Sequence, residues 1–388
     1  MKSVFLLAAS AFLSFLIFNP YYIPVNKINP QAEEITIIAA GDLMCHSPQF
    51  ETARAGKDSF NFNQQFYYVK PVIEKADLAF ANFETVLAGK ERKYSGYPQF
   101  NTPDAFLNAV KEAGFNFLST ANNHAYDRGK DGVIKTFKKI RGAGINSAGT
   151  YNSKGESDSV VITEIKGIKL GILAYTQMLN GFKLPKGDNY LVNLIDTALV
   201  RKDIQRYKKA GADIVIVYFH FGEEYKRTPT PYQETIVKKT IAAGADIILA
   251  SHPHVIEKLE TFKPVNSKLD TGFTAYSLGN FISNQRWRYS DSGVMLNFTI
   301  RKKENGKLEL KNIEIIPTWV FKGLLFAKDE FAVLPAGEAF SAKPLFFLKE
   351  GDIKKMKQSF YDTKEIMLKG LRLSPSKIKI KGNFPPQN

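Results

Sequence analysis

The sequence predicts an α/β fold, and two observations lead to this prediction. A helical stretch that ends at a small-residue stop with a glycine precedes each of three apolar segments, residues 115–121, 214–219 and 247–250. Glycine supplies the left-handed residue with which many helices end. The apolar segments are continuous rather than alternating, as expected of strands that are buried on both faces. Helices that alternate with such strands are typical of α/β domains.

Other segments extend this pattern along the chain. A short turn between two apolar runs predicts a hairpin, which indicates a mixed sheet or two packed sheets. The further expected elements are central strands over 35–40 and 77–81, a hairpin of 160–165 and 169–175 that turns at Gly167, short strands over 307–320 and 331–334, and an amphipathic basic helix over 352–369.

The N-terminus predicts export. Lys2 precedes an apolar run over residues 3–18 that ends at Asn19-Pro20, which is the layout of a secretory signal or a signal anchor. No strong small-x-small cleavage site follows, so an uncleaved anchor is favoured over release, while the run is slightly short for a full span. A buried or amphipathic N-terminal helix is the alternative. We therefore expect an exported protein at the extracytoplasmic face of the cell membrane, anchored or secreted.

The predicted organisation has four segments. Prolines without helical or strand periodicity follow the apolar run, which indicates an extended linker. The segments are a signal peptide or membrane anchor over 1–19, the linker over 20–34, the α/β domain over 35–300, and C-terminal strands with the basic helix over 301–388.

Composition limits the classes of function. The 388 residues include 53 Lys+Arg against 38 Asp+Glu, a net charge of +15 that favours an anionic partner such as nucleic acid, phospholipid headgroups or a polyanionic polymer. With 44% hydrophobic residues the chain can bury a large core. The single cysteine, Cys45, excludes an intrachain disulfide framework and a thiolate zinc cluster.

Polar side chains follow the predicted strands at their carboxyl ends. Ligands of open α/β sheets bind at this edge, so we expect these side chains to lie close together. Carboxylate, amide and imidazole ligands together suit one or two divalent ions of zinc, iron or manganese. The candidate residues are Asp42, Glu84, Asn123, His124, His220, His252 and His254.

Each candidate also has a purely structural interpretation. Asn122, Asn123 and His124 precede a helix expected from Gly132, so this segment could cap that helix. A lone histidine after an apolar strand, such as His220, is often a hydrogen-bonded core residue. His252 and His254 could lie in a solvated loop, and the two carboxylates could cap turns.

Six motifs resemble those of the CapA type, the capsule or poly-γ-glutamate biosynthesis proteins within the calcineurin-like metallophosphoesterase superfamily. The resemblance covers about residues 35–285 and implies a layered α-β-β-α sandwich. The motifs are Gly41-Asp42-Leu43-Met44, Ala81-Asn82-Phe83-Glu84-Thr85, Asn122-Asn123-His124-Ala125-x-Asp127-x-Gly129, His220-x-Gly222-x-Glu224-Tyr225, Ser251-His252-Pro253-His254-Val255 and Tyr276-Ser277-Leu278-Gly279-Asn280-Phe281.

The resemblance implies a role for each ligand. Asp42 and His254 would bind the first metal, Glu84 would bridge, and the second metal would take Asn123, His220 and His252. His124 would be the proton donor or an electrostatic clamp, and Asp42 belongs with it to the catalytic group. Met44 stands where the superfamily motif Asp-x-His has its histidine, the nearest imidazole is His46, and Glu84 stands where the superfamily usually has an aspartate. The metal count and the role of His46 therefore stay open.

The expected function is that of an exported, membrane-associated, metal-dependent hydrolase-like protein in capsule or poly-γ-glutamate biosynthesis. Asn82, Arg286 and Arg288 are the candidate substrate-binding residues, and a solvated loop is the alternative for the two arginines. The alternative function is a non-catalytic scaffold that binds a polyanion and assists its assembly or export. Expected partners are an anionic polymer or phosphoester substrate, the membrane and a polymer synthase complex, but not nucleic acid.

Overall fold

Two mixed β-sheets lie face to face at the centre of the computed structural model, and helices cover both outer faces. This arrangement confirms the predicted α-β-β-α sandwich. The structure describes residues 33–325, 328–337, 345–369, 371, 373–374 and 376–382. The predicted anchor over 1–19 and nearly all of the linker lie outside these residues.

The first sheet contains nine strands in the order β14-β13-β12-β1-β2-β3-β4, with β11 beside β1 and β15 beside β13. Strands β1 to β4 are parallel, whereas β12 is antiparallel to β1 and β13, and β14 is antiparallel to β13. The short strands β11 and β15 run parallel to β1 and β13. The strands are β1 (Glu34–Leu43), β2 (Leu78–Phe83), β3 (Phe117–Ser119), β4 (Asn146–Ala148), β11 (Asn280–Ile282), β12 (Ser292–Lys302), β13 (Leu308–Leu325), β14 (Lys328–Pro335) and β15 (Ile378–Ile380).

The second sheet contains six strands in the order β5-β6-β7-β8-β10-β9. The antiparallel pair β5 and β6 confirms the predicted hairpin, and β6, β7 and β8 run parallel so that their carboxyl ends share one edge. The strands are β5 (Ile162–Ile165), β6 (Ile168–Thr176), β7 (Ile214–His220), β8 (Ile247–Ser251), β9 (Leu259–Phe262) and β10 (Gly272–Ala275).

The three predicted glycine stops, Gly114, Gly211 and Gly244, all have left-handed backbones. Gly244, with φ of 105°, ends the helix over Pro231–Ala243, and Thr230 caps the start of the same helix through the backbone N–H of Gln233. The described helices are α1 (Ser47–Thr52), α2 (Asn63–Phe66), α3 (Lys70–Ile73), α4 (Asp104–Glu112), α5 (Gly129–Gly142), α6 (Lys154–Asp158), α7 (Thr197–Lys209), α8 (Pro231–Ala243) and α9 (Glu350–Leu368), with a 3₁₀ turn at Lys90–Arg92.

The main core lies between the two sheets. Phe80 of β2 and Tyr218 of β7 meet across the layers with ring centroids 5.3 Å apart. Val200 and Ile236, from α7 and α8, pack on the outer face of the second sheet, and Phe106 of α4 packs on the outer face of the first. Burial of these apolar faces holds the sheet edges in a fixed relation, which positions the residues that follow the strands.

Residues after 300 extend the first sheet. The predicted boundary at residue 300 falls inside β12, and β13 is longer than the short strand predicted there because it pairs with both β12 and β14. Helix α9 packs on β13, with Met356 buried in a separate cluster around Trp319. No helix in the described part of the chain combines the length and apolar character needed to cross a membrane.

The end of β1 is bulged and closely approached by another backbone. Between Ala39 and Asp42 this strand has one more residue than β2, and such bulges re-aim side chains near active sites. The carbonyl oxygen of Gly279 accepts a hydrogen bond from the backbone N–H of Asp42 at 3.0 Å. A Cβ atom at Gly41 would overlap that same carbonyl oxygen. Position 41 therefore requires glycine, because a side chain there would collide with the backbone of Gly279.

We expect Gly41→Ala to lower the free energy of unfolding by about 2 kcal/mol, because β1 and the turn at Gly279 must move apart. Urea unfolding monitored by circular dichroism measures this change. The matched control is Gly142→Ala at the end of α5, where an added Cβ meets open space. That control should stabilise the protein by about 0.5 kcal/mol, and equal effects of both substitutions would contradict the steric explanation.

Candidate metal centre

The predicted ligands come together where the carboxyl ends of the two sheets meet. Asp42 is the penultimate residue of β1 and pairs in register with Asn82 of β2, while His220 ends β7 beside Ser251 of β8. Glu84 directly follows β2. Because the sheets pack face to face, residues far apart in sequence share one buried site.

The first half of the site contains carboxylates and an imidazole. The Nδ1 atom of His254 lies 3.2 Å from Oδ2 of Asp42, and its Nε2 atom lies 3.7 Å from Oε1 of Glu84. The same Glu84 oxygen lies 3.7 Å from Nε2 of His220. Glu84 therefore stands between the two halves, in the position that the resemblance assigns to a bridging ligand.

The second half contains an amide oxygen and two imidazoles. The Oδ1 atom of Asn123 lies 2.8 Å from Nε2 of His220, and Nδ1 of His252 lies 3.2 Å from the same nitrogen. All six predicted metal ligands are thus gathered in one cluster. Asp42, Glu84 and His220 each offer a ligand atom within 4.8 Å of the others.

The donor set fits a cation. Glu84 is fully buried, and its Oε1 atom has no hydrogen-bond partner among the described residues. Burial, and next the nearby Asp42 carboxylate, raise the pKa of Glu84 well above its usual value. Two buried carboxylates that face imidazole nitrogens form a surplus of electron pairs without matching donors. A divalent cation would satisfy this surplus.

The imidazoles are held in the form that binds metals. Burial, followed by the neighbouring histidines, lowers the pKa of His220 well below its usual value, and burial lowers the pKa of His252 to about 3. Both rings are therefore neutral near pH 7, as metal ligation requires.

The loop after β8 aims two histidines inward by an unusual backbone. His252 and His254 have φ values of 105° and 58°, and their side chains are almost fully buried. Left-handed conformations are costly for residues other than glycine and occur often at functional sites. The carbonyl of Pro253 accepts a hydrogen bond from the N–H of Tyr225 at 2.7 Å, which fixes this loop. The two imidazoles are not solvated, and loop geometry brings them to the same side.

His124 forms a pair with Asp127. Its Nδ1 atom lies 2.8 Å from Oδ2 of Asp127, and the same oxygen accepts a hydrogen bond from the N–H of Phe100 at 2.7 Å. The carboxylate thereby holds the ring and leaves Nε2 as the nitrogen available for substrate. Helix α5 is instead preceded by Arg128 as its N-cap residue, so the capping alternative for residues 122–124 is wrong.

Asparagines organise the cluster. Asn82 is fully buried, and its Nδ2 atom donates to Oδ1 of Asp42 at 2.8 Å and to Oε2 of Glu84 at 3.3 Å. Its amide thus orients both carboxylates. Asn280, which lies in the last of the six motifs without a predicted role, places Oδ1 3.1 Å from Nδ1 of His254. Asn180 was not predicted, and its Oδ1 atom accepts from Nδ2 of Asn123 at 3.0 Å. The Asn123 side chain is thereby turned with its oxygen towards His220.

His46 has local partners. Its Nδ1 atom lies 3.2 Å from Oε1 of Gln49 and accepts from the N–H of Asn284 at 3.3 Å. Burial lowers its pKa to about 4. Met44 is a buried apolar residue. These contacts favour a structural role for His46 at the start of α1.

The two arginines lie outside the cluster. Arg288 forms a two-pronged pair with Asp362 of α9, with N···O distances of 3.0 and 2.9 Å. The guanidinium of Arg286 lies over the ring of Trp319 at 5.7 Å from its centroid. Their predicted contact with substrate remains a prediction.

Comparison with known proteins identifies the family. The model of the family described as bacterial capsule synthesis protein PGA_cap matches residues 36–285, more than half of the chain. The chain belongs to this family. The predicted CapA-type resemblance is thereby confirmed.

Two curated relatives carry related names. The capsule biosynthesis protein CapA of Bacillus anthracis is 28% identical over 290 residues, which cover 73% of this chain and 68% of the relative. The PGA biosynthesis protein CapA of Bacillus subtilis (strain 168) is 27% identical over 267 residues, which cover 68% of this chain and 67% of the relative.

Solved structures show more distant likeness. NAD nucleotidase (NadN) of Haemophilus influenzae has a TM-score of 0.46 at 14% identity, with 92% of this chain and 65% of that chain covered. Calcineurin-like phosphoesterase YfkN from Bacillus subtilis has a TM-score of 0.42 at 13% identity, with 86% and 98% covered. The candidate site of this PGA_cap family protein is therefore described by its own geometry.

We expect His252→Ala combined with His254→Ala to lower the bound transition metal of the purified protein at least tenfold, because each half of the site loses an imidazole. Elemental analysis after dialysis measures the metal content. His46→Ala is the matched control and should retain it. Full metal content in the double variant would contradict the assigned ligands, and loss of metal in the control would place His46 among them.

Glu257 should make stability depend on pH. It is fully buried, accepts from Nε2 of Gln233 at 2.8 Å, and burial raises its pKa to about 8. The folded state holds this proton more tightly than the unfolded state, so its contribution is complete below about pH 4.5 and falls as pH rises towards 8.

We therefore expect Glu257→Gln, which cannot lose a proton, to gain stability relative to the unmodified chain as pH rises from 5 to 8. The gain should be at most about 1.4 kcal/mol per pH unit. Urea unfolding of metal-free protein at both pH values measures it, with exposed Glu164→Gln as control. If the difference in the free energy of unfolding between Glu257→Gln and the unmodified chain is the same at pH 5 and pH 8, Glu257 does not hold a buried proton.

Proposed function

We propose that this PGA_cap family protein is an exported, membrane-associated, metal-dependent hydrolase that cleaves phosphoesters during capsule or poly-γ-glutamate biosynthesis. The observation that carries the proposal is the buried Oε1 atom of Glu84, which has no hydrogen-bond partner in the described part of the chain and faces His220 and His254 at 3.7 Å each. Such an arrangement is unfavourable in a protein that binds no cation.

The residues of the cluster would hold one or two divalent ions of manganese, iron or zinc. Asp42 and His254 belong to one half, Asn123, His220 and His252 belong to the other, and Glu84 lies between them. When bound, such ions polarise the scissile group and lower the pKa of a bound water. The side chains supply neutral imidazoles and oriented carboxylates for this purpose.

His124 would act on the leaving group. Asp127 occupies Nδ1 of the ring at 2.8 Å, so a proton carried on Nε2 can pass to the oxygen that leaves phosphorus. The buried carboxylate fixes the orientation of the ring. Asp127 is a positioning residue in this role, because it acts through His124.

The biological context follows from the family. The relatives' names refer to capsule and PGA biosynthesis, and we extend this context to the present chain. The predicted signal or anchor over residues 1–19 would place the site outside the cytoplasm, at the membrane. There, the net charge of +15 would favour contact with an anionic polymer and with the synthase complex that makes it.

We expect metal-loaded protein to hydrolyse bis(p-nitrophenyl) phosphate, and His124→Ala to lower kcat about 100-fold because the proton donor is lost. Release of p-nitrophenolate measures turnover. Metal content should be unchanged in this variant, since His124 contacts Asp127 rather than the cluster carboxylates. Asp127→Asn should lower kcat less than His124→Ala and leave KM nearly constant.

Two outcomes would contradict the proposal. Cleavage of γ-linked glutamate without phosphodiester turnover would assign the site to amide chemistry. Metal-loaded protein that turns over neither compound, yet retains a polyanion on its surface, would favour the non-catalytic scaffold.

A further inference from the structure

Three aromatic side chains beside the metal centre are exposed to solvent. Tyr97, Tyr225 and Trp287 are 73%, 42% and 51% exposed, and we call them the aromatic rim. The proposed hydrolytic chemistry uses none of the three. Exposed aromatic rings of this size more often occur at binding surfaces than elsewhere.

The aromatic rim flanks the site on two sides. The ring of Tyr225 lies 6.2 Å from that of His254, and Trp287 lies 5.3 Å from Tyr225 at an interplanar angle of 64°. On the other side, the ring of Tyr97 lies 6.4 Å from that of His124. A molecule whose reacting group contacts the cluster would therefore meet aromatic rings beside that group.

Hydrogen bonds connect the aromatic rim to the metal centre. Tyr225 has a left-handed backbone with φ of 65°, and its N–H donates to Pro253 between the two histidines. Gln285 donates from Nε2 to the Tyr225 hydroxyl at 3.3 Å and accepts from Nδ2 of Asn280 at 2.9 Å. Asn280 in turn contacts His254. The position of the Tyr225 ring is thus set by the same contacts that set a ligand.

The polar groups of the aromatic rim are neutral or acidic. Beside Tyr225 stands the exposed carboxylate of Glu224, which together with burial raises the pKa of the phenol. In the two loops that carry Tyr225 and Trp287, Lys226 pairs with Glu223, Arg227 stacks on Tyr289 and Arg288 pairs with Asp362. The Arg286 guanidinium lies over the ring of Trp319, and its Nε and Nη1 atoms are buried.

This combination favours a polyhydroxylated ring over the alternatives. The C–H face of a pyranose packs on an aromatic ring, and its hydroxyl groups hydrogen-bond to carboxylate and carboxamide groups such as those of Glu224 and Gln285. A γ-linked glutamate chain would bring its carboxylates towards Glu224, in a loop whose cations Lys226 and Arg227 are held in other contacts. A nucleobase would find Tyr225 and Trp287 inclined at 64°, rather than parallel as a base sandwich requires.

We propose that the aromatic rim binds the sugar ring of a glycosyl phosphoester whose phosphoryl group reaches the metal centre. This inference rests on the proposed function. In the reaction, water adds its hydroxyl to phosphorus, the bond between phosphorus and the sugar oxygen breaks, and the sugar oxygen takes the proton. The products are inorganic phosphate and the free sugar.

Hydrolysis-resistant phosphonates test this assignment in the full, metal-loaded chain. Isothermal titration calorimetry gives the dissociation constants of methylphosphonate and of a glucosyl methylphosphonate. We expect the glucosyl compound to bind about 10-fold more tightly, which corresponds to about 1.4 kcal/mol. Trp287→Ala should abolish this difference and leave methylphosphonate binding unchanged, while Trp287→Phe should retain most of it. Tyr67→Ala, with 42% exposure and a ring packed on Tyr68, is the control and should change nothing.

Tryptophan fluorescence gives a second measurement. The chain contains two tryptophans, and Trp319 is buried with its Nε1 atom bonded to Asp291 at 2.9 Å. A spectral shift on addition of the glucosyl compound is therefore expected to come from Trp287 and to vanish in Trp287→Phe.

The outcomes distinguish a failure of sugar binding by the aromatic rim from a failure of the proposed function. If metal-loaded protein does not bind methylphosphonate at all, the proposed function fails. If it binds methylphosphonate and the glucosyl compound equally, or if Trp287→Ala leaves the difference intact, the aromatic rim does not bind sugar. A larger gain in affinity through Trp287 for an adenosine phosphonate or for tri-γ-glutamate would overturn the sugar assignment in favour of that compound.

Discussion

The structure depends on one costly arrangement, the burial of two carboxylates beside each other. Asp42 and Glu84 are both fully buried, and the single amide of Asn82 donates to both. Burial of charge without compensation is strongly unfavourable, so these carboxylates demand either protons or a cation. Burial lowers the pKa values of His220 and His252 beside them, so these two rings compete poorly for protons. A cation is the solution that satisfies all of these groups at once.

The two-sheet architecture makes this arrangement possible. Asp42 and Glu84 belong to the first sheet, whereas His220, His252 and His254 follow strands of the second. Packing of Phe80 against Tyr218 in the core fixes the distance between the sheets below the site. The free energy of apolar burial thereby offsets the cost of the polar cluster. Because each half of the site takes side chains from both sheets, any change in sheet packing alters the geometry of the cluster.

Much of this site was predictable from sequence because carboxyl ends of parallel strands share one edge. That rule and the family motifs together predicted all six candidate metal ligands. Asn180 was missed, since it reaches the site through a left-handed loop residue that no periodicity reveals. Asp127 lies in one of the six family motifs, but only its contact with His124 in the structure indicates its role. The length of β13 was underestimated because pairing with two neighbours extends a strand beyond its own apolar pattern. Local sequence patterns therefore predict the ends of strands well and the contacts of loop residues poorly.

The two halves of the centre are unequal, and the replacement of histidine by Met44 explains this inequality. Met44 is apolar and buried, so the first half keeps Asp42, His254 and a share of Glu84. The second half keeps Asn123, His220 and His252 with the same shared carboxylate. Imidazole nitrogen suits zinc and iron, whereas carboxylate and carbonyl oxygens suit manganese. The half with two imidazoles would therefore favour zinc or iron more than the other half, in which Asn280 holds the single imidazole of His254 in place.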